Sequence, residues 1–273
     1  MFPRTIEGEV WVIFLGTVKK PNNWQCIVLL FKLIVILLFI KSSDMQNINV
    51  MLNLSVNEHL YLKDPESSKL GQRLLQEAVN MVSEIGFETF TFAKLANNLG
   101  STEGSMYRYF ESKHKLLLYL TNKYWQSIEY LIDFRTANIS SNIEQMIRAV
   151  TILTEDVKED EAWFKLNAVK LKRIIIAESS KAYLTKEVDI DNNDGLFTAY
   201  KSLVSRVAQI IQQIRPTYPY PRMLVTTIIE GAHHQKFFSI HLPSLTDVKL
   251  GEDTITEFYT QLILKELEIK NHV

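Results

Sequence analysis

A chain of 273 residues, 47% hydrophobic and 22% charged, is balanced for globular folding and long enough for one large or two smaller domains, which excludes an intrinsically disordered chain. A formal net charge of -1 gives no basic field over the whole molecule, so binding to nucleic acid has to come from a local face. The single cysteine, Cys26, excludes an intramolecular disulfide framework and a cysteine-based zinc site; it fits a reducing compartment, and a cytoplasmic location is expected.

The first element in chain order is WQCIVLLFKLIVILLFI, Trp24 to Ile40, with Lys19 and Lys20 before it, Lys32 inside it and Lys41 after it. It is marginal against the roughly 20 residues a membrane span needs. It also lacks a small-residue cleavage site before Lys41. Met45 and Met51 stand downstream as alternative starts. The expectation is that residues 1–44 are translated upstream sequence from a misassigned start; a membrane anchor and a buried helix are the other readings. Residues 45–65 read as an N-terminal arm.

From about Pro65 the periodicity is helical almost throughout. Leu70, Leu74, Ala78, Val82 and Ile85 make a stripe that ends at Gly86, where a helix C-terminus favours a left-handed residue. Thr91 caps a short second helix with Phe92, Leu95, Ala96 and Leu99 on one face, closed by Gly100. Ser101 and Thr102 cap a third, with Glu103 at its positive end and Met106 and Phe110 as anchors. A longer helix runs from Ser112 towards Phe134. Ser141 and Glu144 spell a capping box, and further helices are predicted over 161–178, 195–214, 221–240 and 253–270. DIDNNDG, RPTYPYP and HLPSL read as breaks between them. The fold class is therefore all-α: a three-helix helix–turn–helix domain over 66–124, then a helical domain over 125–273.

Two short helices joined through a glycine-containing turn, the second opening on small polar residues, read as a helix–turn–helix. A helix entering the major groove end-first needs small or hydroxyl side chains at its start, so that its backbone approaches the base edges and its dipole faces phosphate. Ser101, Thr102, Gly104 and Ser105 meet that need. Tyr107, Arg108, Tyr109 and Lys113 can donate to sugar-phosphate oxygens. The plainer readings are caps for Thr91, Thr102 and Ser112, a half-buried core aromatic for Tyr107 and a solvated side chain for Lys94.

The run GFETFTFAKLANNLGSTEGSMYRYFESKHKLLLYL resembles the DNA-binding domain of TetR/AcrR-type bacterial transcriptional regulators. Thr91, Leu95, Ala96, Gly100, Thr102, Gly104, Ser105, Met106, Tyr107, Tyr109, Phe110, Ser112, Lys113 and Leu116 carry the likeness over roughly 69–124. Ser101, Glu103 and His114 depart from it. The resemblance implies a non-enzymatic transcriptional regulator, a repressor that binds a palindromic double-stranded operator as a homodimer and responds to a small-molecule effector. It implies that Thr91 and Lys94 touch the backbone, that Thr102, Ser105 and Glu103 sit near base edges, and that Tyr107, Tyr109 and Lys113 contact phosphates, with Arg108 a further donor. Dimerisation is implied through the last two helices, around Met223, Leu224, Ile228, Ile229 and Ala232, then Ile255, Phe258, Leu262 and Ile263.

Trp163, Phe164, Phe197, Tyr200, Phe237 and Phe238 read first as core packing and second as the lining of an apolar effector pocket. DIDNNDG lacks the glycine and glutamate positions of a calcium loop. His233, His234 and His241 suggest a metal site, but no acidic partner is expected at helical spacing with them, and they are read as satisfied or solvent-facing histidines; no metal and no cofactor is expected. No catalytic signature is present. A membrane-anchored helical interaction protein is the alternative function.

Overall fold

The computed structural model describes residues 56–156, 166–249 and 251–269. The apolar run 24–40, both candidate starts, Trp163 and Phe164 lie outside the described residues.

Ser68 opens the first long helix, α1 (Lys69–Thr89): its extended backbone ends the preceding turn, Pro65–Ser67, and its hydroxyl accepts from the Gly71 N–H at 3.2 Å. Leu74, Leu75, Ala78, Val79 and Val82 bury one face of α1. Gly86, at φ 75° and ψ 158°, breaks the helical backbone, and one further turn follows. Ile85, expected on the buried stripe, is exposed, and Phe87 beyond the break joins the core instead.

α2 (Phe92–Leu99) and α3 (Glu103–Tyr107) pack on each other, and α2 packs on α1. α4 (Lys113–Thr136) is buried almost all round, from Leu116 to Leu120 and through Tyr124, Trp125, Ile128, Leu131 and Ile132. A helix apolar on every side belongs at the centre of a bundle. α4 accordingly contacts α5 (Asn142–Thr154), α6 (Ala168–Tyr183) and α8 (Thr198–Ile214). The expected boundary at residue 124 falls within this uninterrupted helix. Two buried polar residues inside α4 are satisfied: Thr121 Oγ1 donates to the Leu117 carbonyl at 2.8 Å, and Asn122 Nδ2 reaches the carbonyl of Leu118 one turn earlier (2.9 Å) and that of Leu196 across the bundle (2.7 Å).

α9 (Pro221–His241) and α10 (Thr254–Glu266) complete the bundle against α5 and α8. Most of DIDNNDG is itself helical, as α7 (Val188–Asn193), and the turn comes at Gly195. Its Asp191 carboxylate is buried and holds the start of α4, with one oxygen 3.0 Å from Lys115 Nζ and the other 3.1 Å from His114 Nε2. Those partners explain why an acidic residue is kept inside rather than in a loop. No strand occurs among the described residues, and no described helix is long and apolar enough to cross a membrane.

Candidate nucleic-acid interface

The helix–turn–helix is built by caps. Thr91 Oγ1 accepts the Lys94 N–H at 3.3 Å to start α2. Gly100, at φ 63°, ends α2 in the left-handed region, and the next N–H, of Ser101, returns to the Ala96 carbonyl at 2.9 Å. The chain then extends through Thr102 and turns into α3, whose Met106 is fully buried, with Phe110 beside it in the core. Thr102 makes no capping bond to the backbone; its hydroxyl meets Ser105 Oγ at 2.9 Å.

This packing leaves one polar edge outside. Thr91, Lys94, Thr102, Glu103, Tyr107 and Arg108 are exposed, and Ser105 is half-buried. Tyr107 is 47% exposed, with its ring held edge-on to Phe92 at 5.0 Å between centroids. It is half core aromatic and half exposed phenol. Lys94 Nζ donates to the Thr89 carbonyl at 2.9 Å.

Two residues read as phosphate contacts are turned inward. Tyr109 is 4% exposed, and its hydroxyl lies 2.8 Å from Ser68 Oγ, at the start of α1. Lys113 Nζ donates to the carbonyls of Phe87 (3.1 Å), Glu88 (3.2 Å) and Phe90 (3.4 Å), and stands 4.8 Å from the centre of the Phe87 ring. The ammonium thus meets the carbonyls left open where α1 ends, the place where a cation is favoured. Lys115 is committed to Asp191. The outward positive charge of the reading face is therefore smaller than the count of its lysines. Lys63, which carries no motif signal in the sequence, stands 5.4 Å from the centre of the Tyr109 ring, and the neighbouring Leu62 N–H donates to the Tyr109 carbonyl at 2.8 Å. These contacts tie the N-terminal arm to the end of α3.

Inside the second half, Trp125 stacks on Tyr200 (4.7 Å, 28°) and on His233 (5.9 Å, 21°). Glu230 Oε1 accepts from Tyr183 (2.8 Å) and Tyr200 (3.1 Å). His233 is buried, and its Nδ1 has no hydrogen-bond partner among the described residues. Burial, and then the charges of Lys172, Lys236 and His234, push its pKa down to about 3, so the imidazole is neutral at ordinary pH. The reading of His233 as satisfied or solvent-facing is thereby corrected. Glu230 stands three and four positions before His233 and His234, an acidic neighbour at helical spacing where none was expected.

Of the aromatics singled out as pocket lining, Tyr200 joins this cluster and Phe197 packs half-buried on the core. Phe237 and Phe238 lie along α9 beside His241 (4.5 Å) and His234 (5.9 Å). Trp125, Tyr183, Glu230 and His233 were not legible as a group, because four different helices supply the cluster. A separate groove of about 190 Å³ lies between Gln235 on α9, Leu245 to Val248, and Phe258 on α10. No group of three acidic, histidine or cysteine side chains suited to a metal ion occurs among the described residues.

Residues 74–120 match the family described as bacterial regulatory proteins, tetR family. No curated protein matches the chain. Among solved structures, the fold is similar to AibR in complex with isovaleryl coenzyme A and operator DNA, at 16% identity and a TM-score of 0.50 over 70% of this chain and 97% of that one. It is similar to the fatty acid degradation regulator FadR from Bacillus halodurans, at 16% identity and 0.50 over 70% and 93%. A tetR-family transcription regulator from Shewanella sp. PV-4 gives 14% identity and 0.51 over 71% and 95%.

Proposed function

We propose that this chain, whose residues 74–120 are a TetR-family DNA-binding domain within an all-helical fold, is a ligand-responsive repressor that binds a palindromic operator as a homodimer. The observation that carries the reading is the exposed edge of α2 and α3. Thr91, Lys94, Thr102, Glu103, Tyr107 and Arg108 project from a helix–turn–helix whose opposite face is fully buried. Thr102, Ser105 and Glu103 are assigned to base edges; Thr91, Lys94, Tyr107 and Arg108 are assigned to the sugar-phosphate backbone. Tyr109 and Lys113 support the edge from within.

One five-residue reading helix makes few base contacts, so two copies are needed for a specific site. Leu224, Ile228, Ile229, Ala232, Ile255 and Ile263 are spent inside the bundle. The apolar surface left on the last two helices is Met223 (66% exposed), Ile240 (73%) and Phe258 (56%), and these are assigned to the dimer face. The effector is assigned to the bundle around Trp125, Tyr200 and His233, where a neutral imidazole offers an unused polar atom among aromatic rings. The shared fold of AibR, solved with both an acyl-coenzyme A and operator DNA, supports two separate sites of this kind.

The test is selection of the full-length protein against random duplexes. The expected product is a palindrome with half-site centres about 34–36 Å apart, lost in the Thr102→Ala, Ser105→Ala double variant, which removes the hydroxyls assigned to base edges. A folded protein that enriches no sequence overturns the proposal.

A further inference from the structure

Residues 86–90 form the corner at which the helix–turn–helix leaves α1. The Gly86 break takes the Phe87 N–H out of the helical ladder, and that N–H donates to Glu178 Oε1 on α6 at 3.2 Å. Glu178 is 8% exposed, and its other oxygen lies 2.8 Å from Lys181 Nζ, which also reaches Glu88 Oε1 at 2.9 Å. Earlier on α6, Lys170 Nζ bonds Asn80 Oδ1 (3.0 Å) and Glu84 Oε1 (3.2 Å) on α1. From the other side, Lys113 on α4 holds the carbonyls of Phe87, Glu88 and Phe90. One short stretch of backbone is therefore gripped by its donor from α6 and by its acceptors from α4. α6 packs in turn on α9 and α4, the helices that carry His233 and Trp125.

These ties are not equivalent. Lys170 and Glu84 are a solvent-facing pair, which contributes little. Apolar packing between α1 and α6 buries area but has no direction. A buried carboxylate accepting from one N–H is charge-assisted and fixes both distance and angle. Removing it leaves a buried donor unpaired.

We propose that Glu178 is a positioning residue: through the Phe87 N–H, α6 sets the orientation of the helix–turn–helix relative to the bundle. Resting on the regulator reading above, this makes Glu178 the point at which a ligand-driven movement of α6 is converted into a change of DNA affinity.

The test uses full-length protein with Cys26→Ser, spin-labelled at Asn97 and Gln212, both exposed, and diluted with unlabelled protein so that distances within one chain are read. In Glu178→Ala the Asn97–Gln212 distance distribution broadens, and exchange of the Phe87 amide quickens roughly tenfold or more, while the amides of Leu131 and Ile132 in α4 keep their protection. Glu178→Gln keeps an acceptor and restores both readouts. Glu178→Asp, one methylene shorter, behaves as the alanine variant does and serves if Glu178→Ala does not fold. Operator affinity, on whatever site the wild type selects, falls about tenfold in Glu178→Ala. An unchanged distance distribution and unchanged Phe87 exchange in both Glu178→Ala and Glu178→Asp overturn the proposal. So does a glutamine variant as disordered as the alanine one. Because distances and exchange are read without DNA, a wild type that selects no operator leaves this outcome intact and counts against the regulator reading alone.

Discussion

The hydroxyl of Tyr109, just beyond the reading helix α3, lies 2.8 Å from Ser68 Oγ, the residue that caps α1. Ser68 Oγ also accepts the Gly71 N–H, so the hydrogen bond between the two hydroxyls completes a chain from the end of α3 to the first turn of α1. The two residues are 41 positions apart, and their bond closes the three-helix domain on itself. Replacing Tyr109 with Phe removes the hydroxyl and keeps the ring; a loss of about 1 kcal/mol in urea unfolding is expected. Because the hydroxyl is used internally, the salt dependence of DNA binding stays as in the wild type. A shallower slope in Tyr109→Phe would instead place the phenol at a phosphate.

Lys113→Met keeps an unbranched apolar side chain and removes the ammonium from three carbonyls and from the face of the Phe87 ring. A destabilisation of roughly 1–3 kcal/mol is expected, with faster amide exchange concentrated at residues 87–90. Loss of DNA affinity with unchanged stability would show that the ammonium serves the ligand and not the corner.

Arg108 is a surface side chain, so Arg108→Ala should leave thermal unfolding nearly unchanged and act on DNA, whereas Tyr107→Ala also loses the ring packed on Phe92 and should lower the unfolding midpoint. Arg108→Ala should reduce the slope of log affinity against log salt by about 1 and weaken all duplexes alike. A sequence-dependent loss would move Arg108 from the backbone to a base edge.

His233 carries a pH prediction. Its pKa is about 3 in the folded protein against an ordinary 6.5, so below about pH 6.5 the unfolded chain takes up a proton that the folded chain refuses. Stability therefore falls as pH drops from 6.5 towards 3, and is fully present above 6.5. His233→Phe keeps a ring against Trp125 and removes the titration. Chemical unfolding at a series of pH values should show a flatter acid limb for the variant, and an identical limb would mean that the imidazole is not confined as described.

Gly71 tests close packing. A Cβ there would collide with the Pro65 carbonyl oxygen, with the Pro65 Cα at 2.7 Å, and both are backbone atoms that cannot step aside. Gly71→Ala should cost about 1–3 kcal/mol despite the better helix propensity of alanine, measurable as a lowered unfolding midpoint.

Much of the fold is legible because it is local. The helices follow from the recurrence of Leu74, Ala78 and Val82 or of Phe92, Leu95 and Leu99, and their ends follow from Thr91, Gly100, Ser112 and Ser141, each acting on neighbours within a few residues. Most of DIDNNDG misleads for the opposite reason. Its acids look like loop residues until Asp191 is seen against Lys115 and His114, 76 and 77 positions earlier.

The sequence by itself determined an all-helical chain, the position of the helix–turn–helix and the identity of its small polar edge, since spacing along a helix dictates which side chains share a face. Only the tertiary structure decided which donors of that edge face outward. Tyr109 and Lys113 carry groups suited to phosphate, yet the two ends of α1 hold the Ser68 hydroxyl and open backbone carbonyls within hydrogen-bond reach of them. Likewise, the neutrality of His233 and the grip of Glu178 on Phe87 depend on helices far apart in sequence, because burial and long-range hydrogen bonds are properties of the assembled bundle and not of any one segment.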